Sequence, residues 1–410
     1  MPVRFPVVDQ QLILSQLLQE QLQTVKGASV YHWIQNHKWP GTLFKSTSMQ
    51  RMKDLRLTDS AIPTSTLQSN TKTPVARSYT YKSDKCVRFL NYRGSFLSDH
   101  EDGITHDDMA FCQKLFERDC EVPPGTIFDA NTFGYIVNRM RSKNETAVMK
   151  IMHQLIIPSA EIEIYRGHIE FKHLIDSINE SWDGSISLDE TTPRPQLETH
   201  IQQGQYQLPR PQPDYAVGFS KDAFNRLRLT KLRPFLGGQD DTSSFKGTVD
   251  MFFPFFTAEA KCSKGSLEEA DRQNAHSMAR SLKGVVELFQ LVKREKELHR
   301  RILAFSISHD HSSLKIYAHY PIITSEKITY YQHLVHGFSF IPLNGKEKWT
   351  SYKFVMALYN DWVPTHFERL CSAVDALPDD INFGVAAQPE IQSEQSAPQN
   401  AAGTDGSFSK

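Results

Sequence analysis

Between Met251 and Lys261 the chain reads Met-Phe-Phe-Pro-Phe-Phe-Thr-Ala-Glu-Ala-Lys, and this segment restricts the fold more than any other. It is too short to span a membrane as a helix, and its aromatic content suits a buried strand. Side chains alternate faces along a strand. Phe255, Thr257, Glu259 and Lys261 are therefore expected on one face, with Phe256, Ala258, Ala260 and Cys262 on the other. A carboxylate and an ammonium then stand together at the end of an apolar strand. Burying either charge uncompensated costs on the order of several kcal/mol, so the fold must supply a partner for each.

The rest of the chain is long enough to bury such a strand. It has 410 residues, 39% of them hydrophobic and 11% aromatic, which argues against disorder throughout. Lysine and arginine (46) nearly cancel aspartate and glutamate (47), so any contact with a polyanion must come from a local patch. The cysteines Cys86, Cys112, Cys120, Cys262 and Cys371 form no paired motif, and reduced thiols in an intracellular compartment, nuclear or cytoplasmic, are expected. No signal-peptide core and no apolar run of spanning length is present in the sequence, so no membrane association is expected.

Apolar spacing predicts a helix over 9–25, a shorter one around Tyr31–Ile34, and a polar linker to about residue 84. Residues 1–85 are thus read as an N-terminal helical arm with a poorly ordered linker, and 86–385 as one α/β body. From 386 to 410 the tail lacks core-forming residues and is expected to be disordered. Within the body, Thr105 with Asp108 caps one helix, and 130–156 forms a helix with a break at Asn144-Glu145. The alternating Glu-Ile-Glu-Ile-Tyr at 161–165 is read as a strand, and 171–182 as a helix. A proline-punctuated loop over 185–212 leads to a strand at 214–219, then a helical insertion at 221–235. Ser266 with Glu269 forms a capping box that opens a long helix to about residue 299. A hairpin over 302–320 and a final helix over 350–375 complete the expectation.

Asp214 opens its strand directly after Pro213. With Glu259 it offers two carboxylates on strands that can be neighbours, which suits Mg²⁺ (or Mn²⁺), an ion that takes one or two carboxylates and keeps water. A cation there activates water against a phosphodiester, and Lys261 can stabilise the charge that develops. Asp250 is nearer in sequence, but it opens the same strand as Glu259.

Pro213-Asp214 followed by Glu259-x-Lys261 resembles the PD-(D/E)XK nuclease superfamily, whose restriction-endonuclease-like fold has an αβββαβ core. The segments PQPDYAVGF and FFPFFTAEAK also look like a group of uncharacterised fungal proteins with such a domain. The resemblance spans about 130–375. It implies a mixed central sheet flanked by helices, Mg-dependent hydrolysis of DNA or RNA, an acidic residue from the first helix (Glu145) as a further metal ligand, and a polar residue from the later helix (Gln273) in the catalytic set.

Plainer readings compete with these. Glu259 and Lys261 can be a salt-bridged strand end, since Glu170-Phe-Lys172 shows the same triplet without an upstream Pro-Asp. Asp214 can be a turn residue, Glu145 a solvated helix residue and Gln273 an exposed one. His309 and His311 fit a hairpin turn better than a metal pair, and the basic residues of 293–301 fit a helix end. Arg226, Arg228, Lys231 and Arg233 are the expected local basic patch. An inactive binding module on the same fold, or a toxin-like protein using it, are the alternatives to a housekeeping nuclease.

Overall fold

A computed structural model describes residues 81–186, 188, 208–236 and 241–378. The expected helices at 9–25 and 31–34, the linker before residue 81 and the tail from 386 lie outside the described residues. The described chain is a mixed α/β structure built on a seven-stranded sheet. Its strands are β1 (Ser95–Phe96), β2 (Leu174–Ile178), β3 (Tyr215–Phe219), β4 (Phe252–Ala260), β5 (Ala304–His309), β6 (Ser313–Ile323) and β7 (Ile328–Ser339), in spatial order β1-β7-β6-β5-β4-β3-β2. Strands β2, β3 and β4 form an antiparallel meander, β5 returns parallel to β4, and β6 and β7 continue antiparallel. No described helix is long and apolar enough to cross a membrane.

The described α-helices of six or more residues are α1 (Asp84–Tyr92), α2 (His106–Glu117), α3 (Phe133–Met140), α4 (Glu145–Ile156), α5 (Ala160–Tyr165), α6 (Arg226–Leu236), α7 (Leu267–Leu291), α8 (Thr350–Ala357) and α9 (Val363–Asp375). The break expected at Asn144-Glu145 is present: the Asn144 carboxamide accepts the Ala147 N–H at 3.0 Å and starts α4. Thr105 caps α2 through the Asp108 N–H at 3.2 Å. Ser266 caps α7, but through the Glu268 N–H rather than that of Glu269.

Several expectations are corrected. The strand expected at 161–165 is helix α5, started by Ser159, whose hydroxyl accepts the Ile162 N–H at 3.1 Å. Its alternating apolar residues are not a core face, since Ile162 and Tyr165 are exposed, while Glu163 is buried against the Tyr352 hydroxyl. The helix expected at 171–182 is instead strand β2, preceded by a short 3₁₀ turn at Ile169–Phe171. Helix α7 ends at Leu291 rather than near 299, where Lys293 takes a left-handed φ of 59° and a 3₁₀ turn follows. The final helix is interrupted by a π turn over Leu358–Trp362. Pro364 follows it and has no N–H for the helical ladder, which the wider turn accommodates. Strand β7 and the short β1 had no counterpart in the sequence reading.

One face of the sheet is covered by α7, a central helix with Ala270, Met278, Leu282, Val285 and Phe289 in the core. Strand β4, buried along its whole length, is the spine of the sheet. Its pairing with β3 shifts between Val217 and Phe219, where Phe253 adopts a φ of 44°. This bulge breaks strict alternation. Phe255 meets Trp362 (5.9 Å between rings) and His366, as Phe305, the partner of Phe256, also meets Trp362. The Thr257 hydroxyl instead donates to Asn274 on α7 at 2.7 Å. Phe255 therefore does not share the face of Thr257 and Glu259.

Candidate active site

Strands β3 and β4 run antiparallel, with Tyr215 opposite Ala258. The residue that opens β3 thus lies beside the residues that close β4, and a Pro-Asp at one end meets a Glu-x-Lys at the other. The Asp214 carboxylate accepts the Ala260 N–H at 2.8 Å, which fixes it against the end of β4. Asp250 is exposed at the opposite end of β4 and takes no part.

Lys261 continues from β4, its N–H donating to the His309 carbonyl at 2.8 Å. Its ammonium donates to Glu145 at 2.7 Å and stands 4.0 Å from the Glu259 carboxylate. The Lys261 and Glu259 side chains are 4% and 3% exposed, whereas that of Glu145 is 42% exposed. The structure therefore brings together Glu145, Asp214, Glu259 and Lys261 from α4, the start of β3 and the end of β4. Asn144 contributes indirectly by starting α4 where Glu145 can reach the ammonium.

The electrostatics follow from crowding of like charge in a dry place. Burial, and then the neighbouring Asp214, push the Glu259 carboxyl well above the usual carboxylate range. Burial also raises Asp214, opposed by the Ala260 N–H and by Lys261. Burial works against the Lys261 charge, but Glu259 and Glu145 outweigh it and hold the ammonium protonated.

Gln273 lies on α7, and its side-chain oxygen is buried without a hydrogen-bond partner among the described residues. It makes no hydrogen bond to the four clustered residues. One turn earlier, Glu269 adds negative potential at Glu259, so that face of α7 does look onto the cluster. Tyr81 comes from outside the sheet. Its hydroxyl is 2.8 Å from His276 Nδ1, its carbonyl accepts from Arg272 at 3.0 Å, and Glu259 acts on it electrostatically. Glu269 is legible only once the helix face is known, by its four-residue spacing from Gln273. Tyr81 carries no local signal.

His309 and His153 are buried beside this end of the sheet, held down to pKa values of about 4 and about 3 chiefly by burial, and are neutral. His309 lies at the end of β5, where its Nδ1 is 3.3 Å from the Asp310 carbonyl. The expected patch on α6 lies at the far end of β3, roughly 15–20 Å away by strand rise. There Arg228 forks onto Asp375 at 2.8–2.9 Å, and Lys231 donates to the carbonyls of Asp375 and Leu377 at 2.7 Å. Arg228 and Lys231 thus fasten α6 to the end of α9, while Arg226 and Arg233 are exposed.

As a cation site, the donor set is small. Among the described residues no group of three or more His, Cys, Asp or Glu side chains is arranged to hold a metal ion. Glu145 is engaged with the ammonium, which leaves Asp214 and Glu259. The Glu259 carboxylate accepts no hydrogen bond from any described residue and has only the ammonium at 4.0 Å. Such a nearly buried carboxylate beside a second one fits Mg²⁺, which needs only one or two carboxylates with water. No curated protein and no solved structure matches the chain. A family model does, over residues 132–374, which include Glu145, Asp214, Glu259 and Lys261 but not Tyr81: the chain belongs to the family described as a domain of unknown function, DUF7924.

Proposed function

We propose that this domain is a Mg²⁺- or Mn²⁺-dependent phosphodiesterase acting on DNA or RNA. The observation that carries the reading is the meeting of Asp214, Glu259 and Lys261 at one end of two adjoining strands. The order of elements supports it as well: helix α4, the meander β2-β3-β4, helix α7, then β5 parallel to β4. That is the αβββαβ order that the resemblance to PD-(D/E)XK nucleases implies, although the first strand is β2 and not 161–165.

In this reading Asp214 and Glu259 hold the cation, which when bound supplies a water of lowered pKa and neutralises charge on a phosphodiester oxygen. Asp214 is oriented for this by the Ala260 N–H. Lys261, kept protonated by two carboxylates, is the donor for negative charge that develops on the phosphate. Glu145 holds that ammonium in place.

A second reading, a binding module without catalysis, is favoured by one observation. The ammonium is nearly buried and closed on Glu145, as in a structural ion pair. Cleavage assays of the full chain on single- and double-stranded DNA and RNA, with Mg²⁺ or Mn²⁺ and with chelator, separate the two. Hydrolysis predicts metal-dependent cleavage that Glu259→Ala and Lys261→Ala each reduce by about 100-fold or more, with the circular dichroism spectrum retained. No cleavage by the wild type, with substitutions that change only the melting temperature, leaves the binding module.

A further inference from the structure

Two loops meet beside the cluster although about 120 residues separate them in sequence. The loop before α4 carries Arg141 and Lys143, and the loop after β4 carries Lys264. They are tied by the Ser263 hydroxyl, which donates to the Arg141 carbonyl at 2.7 Å, and by the Lys261–Glu145 bond at 2.7 Å. Arg141, Lys143 and Lys264 are all exposed, and none has a carboxylate within ion-pairing distance among the described residues. Arg139, one helical turn before Lys143, is also exposed and donates to the exposed Tyr135 hydroxyl at 3.3 Å.

Their place beside the cluster distinguishes these cations from others on the surface. The chain as a whole carries a formal charge of −1. Elsewhere some basic residues are held in ion pairs, Arg228 by Asp375, Arg294 by Glu297, Lys353 by Asp119 and Arg210 by Asp183, while others, Arg226 and Arg233 among them, are exposed far from the cluster. Beside the cluster Arg141, Lys143 and Lys264 have no ion pair among the described residues, and the loops 141–144 and 261–266 contain no acidic residue. Fixed, solvated, unpaired cations at the rim of a site are what a phosphate backbone requires, because each contact releases a condensed counterion.

We infer that Arg139, Arg141, Lys143 and Lys264 form the track along which a nucleic-acid backbone enters the Asp214–Glu259–Lys261 cluster. The partner is a phosphodiester chain recognised by its charge, with no base readout from these side chains. The inference rests on the proposed hydrolytic reading for its purpose, but binding itself does not require hydrolysis. The nearby Tyr135, 66% exposed, offers a ring on which an unstacked base can lie, which favours single strands.

The test is fluorescence anisotropy of full-length protein in EDTA, so that no cleavage intervenes, with labelled single-stranded DNA, double-stranded DNA and single-stranded RNA of equal length over a salt series. The triple variant Arg141→Ala/Lys143→Ala/Lys264→Ala is expected to bind at least about tenfold more weakly, with the slope of log K against log salt reduced by about 2–3. The control Arg226→Ala/Arg233→Ala changes affinity less than about twofold. The three ligands decide which backbone is preferred. Absence of wild-type binding at low salt overturns the inference, as does equal loss in the triple and control variants. Cleavage by the wild type with Mg²⁺ or Mn²⁺ separates it from the hydrolytic reading: a wild type that binds but never cleaves sustains the track and removes the enzyme, whereas cleavage unaffected by the triple variant does the reverse.

Discussion

Glu259 is a carboxyl group stripped of water and placed beside a second carboxyl group, and its protonation is coupled to stability. Its native form holds a proton to higher pH than the unfolded chain does, because burial and Asp214 raise it. Where the native state binds more protons, stability falls as pH rises. The loss begins near the usual glutamate value, about 4.3, and continues up to the raised native value. Glu259→Gln, which mimics the protonated form, is therefore expected to melt higher than wild type in EDTA near pH 8, with the gap closing towards pH 4.5. Melting curves across that range check it, and a gap that does not depend on pH would show that Glu259 titrates normally. At this scale the sequence exposed Glu259, Lys261 and Asp214 through strand alternation and a Pro-Asp start. Glu145 entered only through the family resemblance, and Tyr81 not at all. Its approach to His276 links residues 195 apart, and no local pattern encodes such a contact.

Elements are legible in the sequence where capping and period agree, and illegible where period stands alone. Thr105, Asn144 and Ser266 start α2, α4 and α7 as their side chains suggest. The alternation at 161–165 does not specify a strand, because period two cannot distinguish a half-buried strand from a short helix with exposed isoleucine; the capping Ser159 carries the helix signal. Close packing of elements makes its own prediction. Gly284 lies on α7 where an added Cβ would stand 2.0 Å from the Ser244 carbonyl oxygen. Glycine to alanine in a helix ordinarily gains about 1 kcal/mol. Here the contact is with backbone that cannot swing away, so Gly284→Ala should destabilise by about 1–3 kcal/mol. Urea unfolding measures it, and a stabilised variant would mean that α7 and residues 243–245 are less closely packed than described.

For the whole molecule, a cation that binds only the folded state must stabilise it. At one hundred times its dissociation constant, Mg²⁺ should add about 2.7 kcal/mol, visible as a higher melting temperature that rises with concentration. Glu259→Gln should abolish that rise, while the triple variant of the basic loops should keep it. No Mg²⁺-dependent shift in the wild type would remove the cation from the site whatever the cleavage assay showed. The sequence by itself determined that β4 is a buried strand ending in Glu259-Ala-Lys261, that Asp214 opens another strand, and that a capped helix follows. Those features are local, set by apolar runs, alternation and capping chemistry. Only the tertiary structure decided that β3 and β4 are antiparallel neighbours, that α4 delivers Glu145 to the ammonium, and that Arg228 and Lys231 of α6 are spent on the end of α9. It also placed Arg141 and Lys143 beside Lys264. Pairing between distant segments is chosen by the burial of whole faces against one another, which no stretch of the chain expresses alone.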